Sequence, residues 1–420
     1  MNDDPSPQAT SRTGRTPARR LPGSRSVLGT TTLLIAALVL GACGNSGGTS
    51  SATTAPHTAA TSASTVYRWG VVGNKGALSQ LQLQTPTAIA GIHGRVVQIA
   101  TSNSDGYART SSGAVYGWGV NSYGELGDGQ LTPYETKAFK VEFPAGVTIT
   151  SLANPMPFDG ALAIDSTGHA WGWGLNGADD LCLSGLVEKQ PQQLPLSDVT
   201  LATGARTHAL IDSHGTVYSC GSGDAGELGN GSTAPASTPA PVVGLPSGVR
   251  VTALTSSWEG SGALLSNGDY YNWGYNAAGQ LGNGSTTNSA LPVKVNLPDP
   301  VAEVFQGGSG PKNGQTVAIL QNRGVWTWGN NDRGQLGIGS RTDSQVPVQV
   351  HLPKNVVFVS VSSGGYATYA IDRTGRLWAW GDNRSGQLGT GSGTAFTTLP
   401  IKVGLHLTQV SSTAQNVAGF

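Results

Sequence analysis

The sequence predicts an all-β protein: a seven-bladed β-propeller of four-stranded blades, with the ring closed by pairing the N- and C-terminal strands. Three observations predict this fold. A Trp-Gly pair recurs roughly every fifty residues. Four short strand-like runs, separated by turn residues, fill each interval. The composition, with 61 Gly, 23 Pro and 11% charged residues, suits short strands and tight turns better than helices.

The first 42 residues are predicted to be a lipoprotein signal peptide. Five arginines between Arg12 and Arg25 precede an apolar run that ends at Cys43. The run is too short, and too rich in Thr and Gly, for a comfortable transmembrane helix. The stretch from Leu40 to Cys43 resembles a bacterial lipobox, which implies lipid attachment at Cys43. An ordinary signal peptide with a chance Cys stays open, and so does the export route.

Residues 43–64 are predicted to be a flexible tether, because this Ser-, Thr-, Ala- and Gly-rich stretch contains nothing that could form a core. The expected location is the bacterial cell envelope, on the extracytoplasmic face of the membrane, either anchored or released. Beyond residue 42 the chain has 19 basic and 22 acidic residues. This mild negative charge gives no electrostatic footprint for nucleic acid.

The propeller is predicted to span residues 65–420, and each of its repeats is marked by one anchor residue. Cys220 takes the anchor position in the fourth unit, and successive anchors are 49, 55, 47, 53, 55 and 52 residues apart. The other six anchors are tryptophans that precede Gly: Trp69, Trp118, Trp173, Trp273, Trp328 and Trp380.

Every unit repeats one order of elements, shown by "WTWGNNDRGQLGIGS" at Trp326–Ser340. A β-rich run precedes an Asn-x-x-Gly-Gln/Glu-Leu-Gly stretch, a Pro-led run follows, and two further strand-like runs complete the unit. The glycines supply positive φ and close approach, and the Leu is expected to fill the space between blades. The Pro is expected at a strand's first residue or on an edge. Recurring Trp, Gly and Leu are therefore predicted to be core.

Ring closure follows from incomplete units at the two ends. The folded region begins with "TVYRWG" at Thr65 and ends where the next Trp-Gly strand would come. The two ends are therefore expected to complete one blade, which removes exposed sheet edges. The alternative, an open solenoid of the same repeats, would need capping ends.

These motifs resemble the regulator of chromosome condensation repeat family, which forms seven-bladed propellers. The resemblance covers essentially all of residues 65–420. The first unit, "WGVVGNKGALSQ", and the third, "WGLNGADDLCLSG", depart from the pattern. The family's Gly-x-x-His-Thr stretch is mostly missing, and only "GARTHAL" around His208 is similar to it.

No catalytic constellation is predicted, and neither a cofactor nor a metal site. The seven histidines are scattered without metal-ligand spacing, and the sequence has no C-x-x-C. The segment "DNRSGQ" at Asp382 lacks the ligand set of a calcium loop, so a turn is favoured. Cys182 and Cys220 take unlike repeat positions in neighbouring blades. A disulfide and two buried thiols both remain open for this pair.

A binding site is predicted at a repeat position that is filled by a different residue in each blade. The loop before each "ALAID"-type strand carries aromatic and charged residues at the blade period, so all are expected on one face of the disc. Packing of any one of them beneath its own turn is the alternative. The residues are Tyr107, Phe158, Asp159, Arg206, His208, Trp258, Glu259, Lys312, Tyr366 and Gln415.

The predicted function is partner binding through this loop-lined face, without catalysis, by a lipid-anchored monomer. A protein partner is favoured over other ligands. Among exported relatives the chain is similar to the type II β-lactamase inhibitory protein, which implies a β-lactamase or penicillin-binding enzyme as an alternative target. A carbohydrate- or cell-wall-binding or -cleaving propeller is a further alternative. Nucleotide exchange on a GTPase is not expected, because an exported chain would not meet that partner.

Overall fold

Twenty-eight strands form seven antiparallel sheets of four strands in the computed structural model, and these sheets are the blades of a propeller. The structure describes residues 64–71, 82–206, 208–308, 310 and 313–420. The predicted signal peptide, Cys43 and nearly all of the tether lie outside these residues, as does Lys312. Among the described residues there is no helix, so the predicted fold class is confirmed.

The first strand of each blade lines the centre of the ring, where it contacts the first strands of neighbouring blades. These inner strands are β3 (Val96–Thr101), β7 (Ile149–Leu152), β11 (Val199–Gly204), β15 (Val251–Ser257), β19 (Val301–Gly307), β23 (Phe358–Ser363) and β27 (Val410–Thr413). The second strands are β4 (Asp105–Thr110), β8 (Gly160–Asp165), β12 (His208–Ser213), β16 (Gly260–Leu265), β20 (Gln315–Leu320), β24 (Ala367–Asp372) and β28 (Asn416–Gly419).

The third strand of each blade carries the anchor residue, and the fourth forms the outer edge. The third strands are β1 (Tyr67–Val71), β5 (Val115–Asn121), β9 (Ala170–Leu175), β13 (Thr216–Gly221), β17 (Tyr270–Gly274), β21 (Val325–Gly329) and β25 (Arg376–Asp382). The outer strands are β2 (Gln82–Ala88), β6 (Thr132–Lys140), β10 (Val187–Gln193), β14 (Ala236–Pro241), β18 (Ser289–Lys294), β22 (Ser344–Gln349) and β26 (Phe396–His406).

Blade 1 closes the ring, because it combines β1 and β2 from the start of the propeller with β27 and β28 from its end. Strand β1 pairs antiparallel with β28, from Tyr67 opposite Gly419 to Gly70 opposite Asn416. The predicted closure is therefore confirmed. The remaining blades follow in chain order, so β3–β6 form blade 2 and β23–β26 form blade 7.

The recurring prolines of the repeat lie inside or at the end of the outer strands rather than at their first residue. Pro292 is within β18 and Pro347 within β22, while Pro241 ends β14. An outer strand has one unpaired edge, so the missing N–H need not remove a ladder hydrogen bond. The edge part of the prediction holds, and the first-residue part is wrong.

A hydrogen bond from the anchor Trp joins neighbouring blades. In blade 6 the Trp328 indole Nε1 donates to the Gln280 backbone oxygen of blade 5 at 3.0 Å. Trp69, Trp173, Trp273 and Trp380 donate to the equivalent carbonyl of the preceding blade at 2.8–2.9 Å. We call this contact the Trp latch. It pairs a large buried surface with a satisfied polar group, which a buried indole needs.

A glycine beside each Trp latch makes room for the indole ring. Gly282 has φ +67°, and a Cβ placed there would lie 2.8 Å from Trp328 Nε1. Two residues before it, the Gln280 Oε1 accepts the Ala278 N–H at 2.9 Å and fixes the turn. The repeated Gly-Gln/Glu-Leu-Gly sequence is therefore an interblade contact, as predicted for the scaffold.

A disulfide replaces the Trp latch between blades 3 and 4. Cys182 is bonded to Cys220, with their Cα atoms 5.5 Å apart. Cys220 stands at the anchor position, and Cys182 stands where Gly282 stands in blade 5. Cys182 keeps the positive φ of that position, at 56°. The sequence alone did not show that these two repeat positions touch. They are the same two positions that touch in the described Trp latches.

Candidate functional site

The predicted binding loops all lie on one face of the disc, which we call the upper face. These loops join first to second strands, and the loops between third and fourth strands share the same face. Strand pairing fixes the register, because the first residue of each second strand lies opposite a Gly of the third strand. Gly160 faces Gly174 and Gly260 faces Gly274. The loop residues just before the first residue of each second strand are therefore structurally equivalent from blade to blade.

Tyr107 does not belong to this loop, so its place in the predicted binding set is wrong. It lies two residues inside β4, and its side chain has no solvent exposure. Its hydroxyl donates to the Glu125 backbone oxygen at 2.7 Å, and burial raises its pKa well above the usual value. Tyr369 makes the same bond to Gln387 in blade 7. Tyr107 is a core residue of the Trp latch.

His208 is also a core residue rather than a surface one. It is the first residue of β12 and is fully buried, and its Nε2 lies 2.7 Å from Ser261 Oγ of blade 5. Burial lowers its pKa to about 3, so the ring is neutral at physiological pH. A neutral buried imidazole that bridges two blades contributes to packing rather than to surface recognition.

Three predicted residues from three successive blades meet at the centre of the upper face. The Phe158 and Trp258 rings are edge-to-face, with centroids 5.4 Å apart. The Arg206 guanidinium lies 4.0 Å from the Trp258 ring centroid and 5.6 Å from that of Phe158. Both aromatic side chains are half-buried and Arg206 is exposed. We call this group the aromatic mouth.

Carboxylates surround the aromatic mouth on both sides. Burial raises the pKa of Glu259, and the neighbouring Asp224 raises it further, while Arg206 and the Trp258 indole N–H act in the opposite direction. The effect of Asp224 on this pKa is larger than that of Arg206. Asp224, Glu259 and Arg206 are therefore close enough to influence one another's charge at this side of the mouth.

Two buried acidic side chains, Glu227 and Asp180, are coupled to these surface carboxylates. Burial raises the pKa of Glu227 to about 7, with further contributions from Glu259 and Asp224. Burial likewise raises the pKa of Asp180 to about 7, and Asp159 and Asp179 add to the shift. The carboxylates thus influence one another within blades 3 to 5. Sequence reasoning found Asp159 and Glu259 but missed the other four.

The other half of the upper face has a different character. Tyr366 is half-buried and lies near Arg333 of blade 6, whose guanidinium is 6.0 Å from the ring centroid. Arg384 makes a bidentate contact with the buried Asp382 at 2.8 and 3.0 Å. Gln415 lies half-buried in the blade 1 loop. The structure therefore places Tyr366 in the predicted loop position but outside the aromatic mouth.

A small cavity lies beneath the aromatic mouth, where the inner strands converge. Its volume is about 20 Å³, and its lining includes Met156, Ser256, Trp258, Gln306 and Thr413. We call it the throat. Hydroxyl pairs close the ring around it, such as Thr203 Oγ1 and Ser256 Oγ at 3.0 Å. A cavity of this size holds about one water-sized group.

Two polar atoms of throat-lining residues, Gln306 Oε1 and Ser412 Oγ, are buried without a hydrogen-bond partner among the described residues. Gln306 is only 4% exposed, and its Nε2 donates to Asn272 Oδ1 at 2.5 Å. Its Oε1 accepts no hydrogen bond from a described residue. Buried carbonyl oxygens rarely stay unsatisfied, so this atom favours a donor in the throat.

Metal sites and membrane-spanning helices are absent from the described residues. In the part of the chain that the structure describes, no group of three or more His, Cys, Asp or Glu is placed to hold a metal ion. Of the described residues, none forms a helix long and apolar enough to cross a bilayer.

A family model described as "Regulator of chromosome condensation (RCC1) repeat" matches residues 214–264, 267–310, 324–371 and 374–418, and a second model of that repeat matches 358–387. The chain carries RCC1 repeats. Together with the seven blades, this makes it an RCC1-repeat propeller, as the repeat motifs predicted.

Curated relatives share these RCC1 repeats at moderate identity. The ultraviolet-B receptor UVR8 of Arabidopsis thaliana is 30% identical over 293 residues, which cover 67% of this chain and 64% of the receptor. The E3 ubiquitin-protein ligase HERC2 of Homo sapiens is 27% identical over 299 residues, which cover 67% of this chain and 6% of the ligase. In both cases the alignment spans less than two thirds of the relative.

Solved structures share the propeller fold. Human WBSCR16 superposes with a TM-score of 0.74 at 18% identity, covering 85% of this chain and 99% of that one. Yeast RCC1 (Prp20), solved bound to Kap60, superposes with a TM-score of 0.70 at 20% identity, covering 84% and 88%. At these identities the likeness shows the fold alone. In this RCC1-repeat propeller, Phe158 and Arg206 precede the stretches that the family model matches.

Proposed function

We propose that this RCC1-repeat propeller binds a partner protein through the aromatic mouth and has no catalytic activity of its own. One observation carries the proposal: Phe158, Arg206 and Trp258 come from three successive blades and converge at the surface. Arg, Trp and other aromatic side chains contribute most to protein interfaces, and they act when clustered on a rigid support. RCC1-repeat propellers are typically protein-interacting.

A protein partner is favoured over a sugar ligand by the position of Arg206. Its guanidinium lies 4.0 Å from the Trp258 ring centroid and covers that face of the ring. An uncharged sugar ring stacked on this surface would bring no positive charge to replace the cation–π contact of Arg206, whereas a basic side chain of a protein would. The throat also admits only about one water-sized group, so it offers no subsite for a sugar.

We further propose that the propeller works outside the cytoplasm, held at the membrane by lipid on Cys43. The apolar run and the Leu40–Cys43 sequence support this location. The disulfide between Cys182 and Cys220 supports it independently, because such bonds persist in oxidising compartments. Metabolic labelling with a tagged fatty acid tests the anchor: Cys43→Ala is expected to abolish labelling, and undiminished labelling of that variant would contradict it.

Affinity capture from cell-envelope extract tests the binding function. The full chain is compared with Phe158→Ala/Trp258→Ala and with the matched control Phe139→Ala/Phe396→Ala, which removes two exposed rings from outer strands. A protein retained by the full chain and by the control, but lost by the mouth variant, is the expected result. A partner equally retained by the mouth variant would refute the site. A β-lactamase or penicillin-binding enzyme as the captured protein would make inhibition the specific role.

A further inference from the structure

The aromatic mouth and the throat together have the chemistry of a receptor for one positively charged side chain. Three features point the same way: an aromatic surface that already holds a cation, carboxylates beside it, and a buried acceptor without a partner among the described residues. The inference rests on the proposed binding of a partner protein and specifies what that partner presents.

The aromatic surface accepts a cation in the present structure. The Arg206 guanidinium lies over the Trp258 ring and within reach of the Phe158 ring. The negative face of an aromatic ring attracts an ammonium as well as a guanidinium. Because Arg206 is exposed, its side chain can turn toward solvent when another cation takes its place.

The charge around the mouth is complementary to a basic partner. Asp224 and Glu259 lie on one side, and Asp159 and Asp179 on the other. On the side of blades 4 and 5, the two carboxylates of Asp224 and Glu259 act together with one guanidinium, that of Arg206. Such an arrangement attracts a basic segment and disfavours an acidic one.

The throat selects among cations by size and by hydrogen bonding. Its volume of about 20 Å³ accommodates a lysine ammonium more readily than a planar guanidinium. Gln306 lines this space, and its Oε1, which has no partner among the described residues, would accept a hydrogen bond from that ammonium. The methylene stem of the same lysine would then pack against the two rings above.

We propose that the aromatic mouth receives a lysine side chain from a loop of the partner protein, with its ammonium in the throat and its stem against Phe158 and Trp258. Asp224 and Glu259 neutralise the added charge. Arg206 is then a positioning residue that covers Trp258 until the partner's lysine displaces it.

Blocked heptapeptides test this proposal without knowledge of the partner. Three peptides, Gly-Ser-Gly-Xaa-Gly-Ser-Gly with Xaa as Lys, norleucine or Glu, are titrated calorimetrically into the purified full chain at low salt. The Lys peptide is expected to bind at least about tenfold more tightly than either other peptide. Equal affinity for the Lys and norleucine peptides, or no measurable heat at millimolar Lys peptide, would overturn the proposal.

Three variants locate the binding. Trp258→Ala and the charge-only variant Asp224→Asn/Glu259→Gln are each expected to weaken the Lys peptide about tenfold. Tyr366→Ala, a half-buried aromatic of the same face, is expected to leave its affinity unchanged. The charge-only variant keeps side-chain volume, so it separates lost recognition from lost folding. If all three variants weakened binding equally, the assignment to the mouth would fail.

Capture of the partner distinguishes a failure of the lysine proposal from a failure of the proposed binding function. If capture is lost with Phe158→Ala/Trp258→Ala but is unaffected by Asp224→Asn/Glu259→Gln and by acetylation of the partner's lysines, the binding function stands and the lysine proposal fails. If the mouth variant retains the partner, the binding function fails, and the peptide titration decides alone whether the throat recognises an ammonium.

Discussion

Two kinds of interface join the blades of this propeller. Five described interfaces use the Trp latch, in which an indole donates to a carbonyl of the preceding blade. The interface between blades 3 and 4 uses a disulfide at the same two positions. The difference shows that the repeat requires contact between these positions, and that either a buried indole or a covalent bond can supply it.

The two solutions make different demands on the same backbone. The Trp latch needs Gly opposite the indole, because a Cβ at Gly282 would lie 2.8 Å from Trp328 Nε1. The disulfide needs a Cβ at that position, so Cys182 takes a positive φ that side chains rarely adopt. The covalent interface joins the blades that carry Phe158 and Arg206, two members of the aromatic mouth. The bond therefore restrains the spacing of the binding residues.

Removing one Trp latch is expected to have the largest effect. Trp328→Ala should lower the free energy of unfolding by about 4 kcal/mol, because a fully buried indole and its hydrogen bond are lost. Denaturant titration measures the loss. The control is Trp326→Ala, which removes a half-buried indole from the same strand, with an expected loss of about 2 kcal/mol or less. Equal losses would mean that the latch position is not special.

Removing the disulfide is expected to cost somewhat less. Cys182→Ala/Cys220→Ala should lower stability by about 3 kcal/mol, since the bond closes a long loop in the unfolded chain. Cys182→Gly/Cys220→Trp rebuilds the Trp latch and should be more stable than the double Ala variant, with a melting temperature that a reductant does not change. A Gly/Trp variant less stable than the double Ala variant would contradict the view that a Trp latch can replace the disulfide at this interface.

The acidic residue of blade 4 is expected to make stability depend on pH. Glu227 occupies the position of Gln280, and burial raises its pKa from 4.5 to about 7. The folded state therefore holds a proton that the unfolded state releases, so stability falls as pH rises through 4.5 to 7. Glu227→Gln should gain about 2 kcal/mol at pH 8 and nothing at pH 4.

The reverse substitution controls for this pH effect. Gln280→Glu should destabilise the propeller at pH 8 and have little effect at pH 4, because the new carboxyl would be protonated there. Denaturant titration at both pH values compares the two variants. A pH-independent change in either of them would show that packing, rather than ionisation, distinguishes blade 4 from blade 5.

The smallest expected effect separates the core from the binding face. Tyr107 and Trp173 donate to the same Glu125 carbonyl, at 2.7 and 2.8 Å. Tyr107→Phe removes one of these two donors and should cost about 1 kcal/mol of stability. Capture of the partner should be unchanged. Loss of the partner with unchanged stability would return Tyr107 to the binding set.

The repeat architecture was predictable because its signal is periodic. Trp anchors, turn glycines and complementary ends recur or match along the sequence, so blade number and closure follow from spacing. The register inside blade 2 was not predictable in this way, since its loop carries Asn103 and Ser104 instead of a bulky residue. Tyr107, a nearby aromatic, was therefore assigned to the wrong position.

Contacts between blades were harder to predict than the blades themselves. The positions of Cys182 and Cys220 are unlike within a repeat, and only the three-dimensional arrangement shows that they touch. The acidic cluster did leave a sequence signal: "GADDL" and "GDAGEL" have Asp180 and Glu227 where the three later blades have Gln. These residues form a cluster only because blades 3 to 5 bring them together, and the sequence of a single repeat does not show this.

The closing strand also determines on which face of the disc the described chain enters the propeller. Strand β1 is a third strand, so it runs from the lower face, at Tyr67, toward the upper face near Gly70. The described chain therefore enters the propeller on the face opposite the aromatic mouth. Coupling the chain to a sensor surface through residues ahead of Ser64 should leave the mouth facing solution, whereas coupling through upper-face loops should block it.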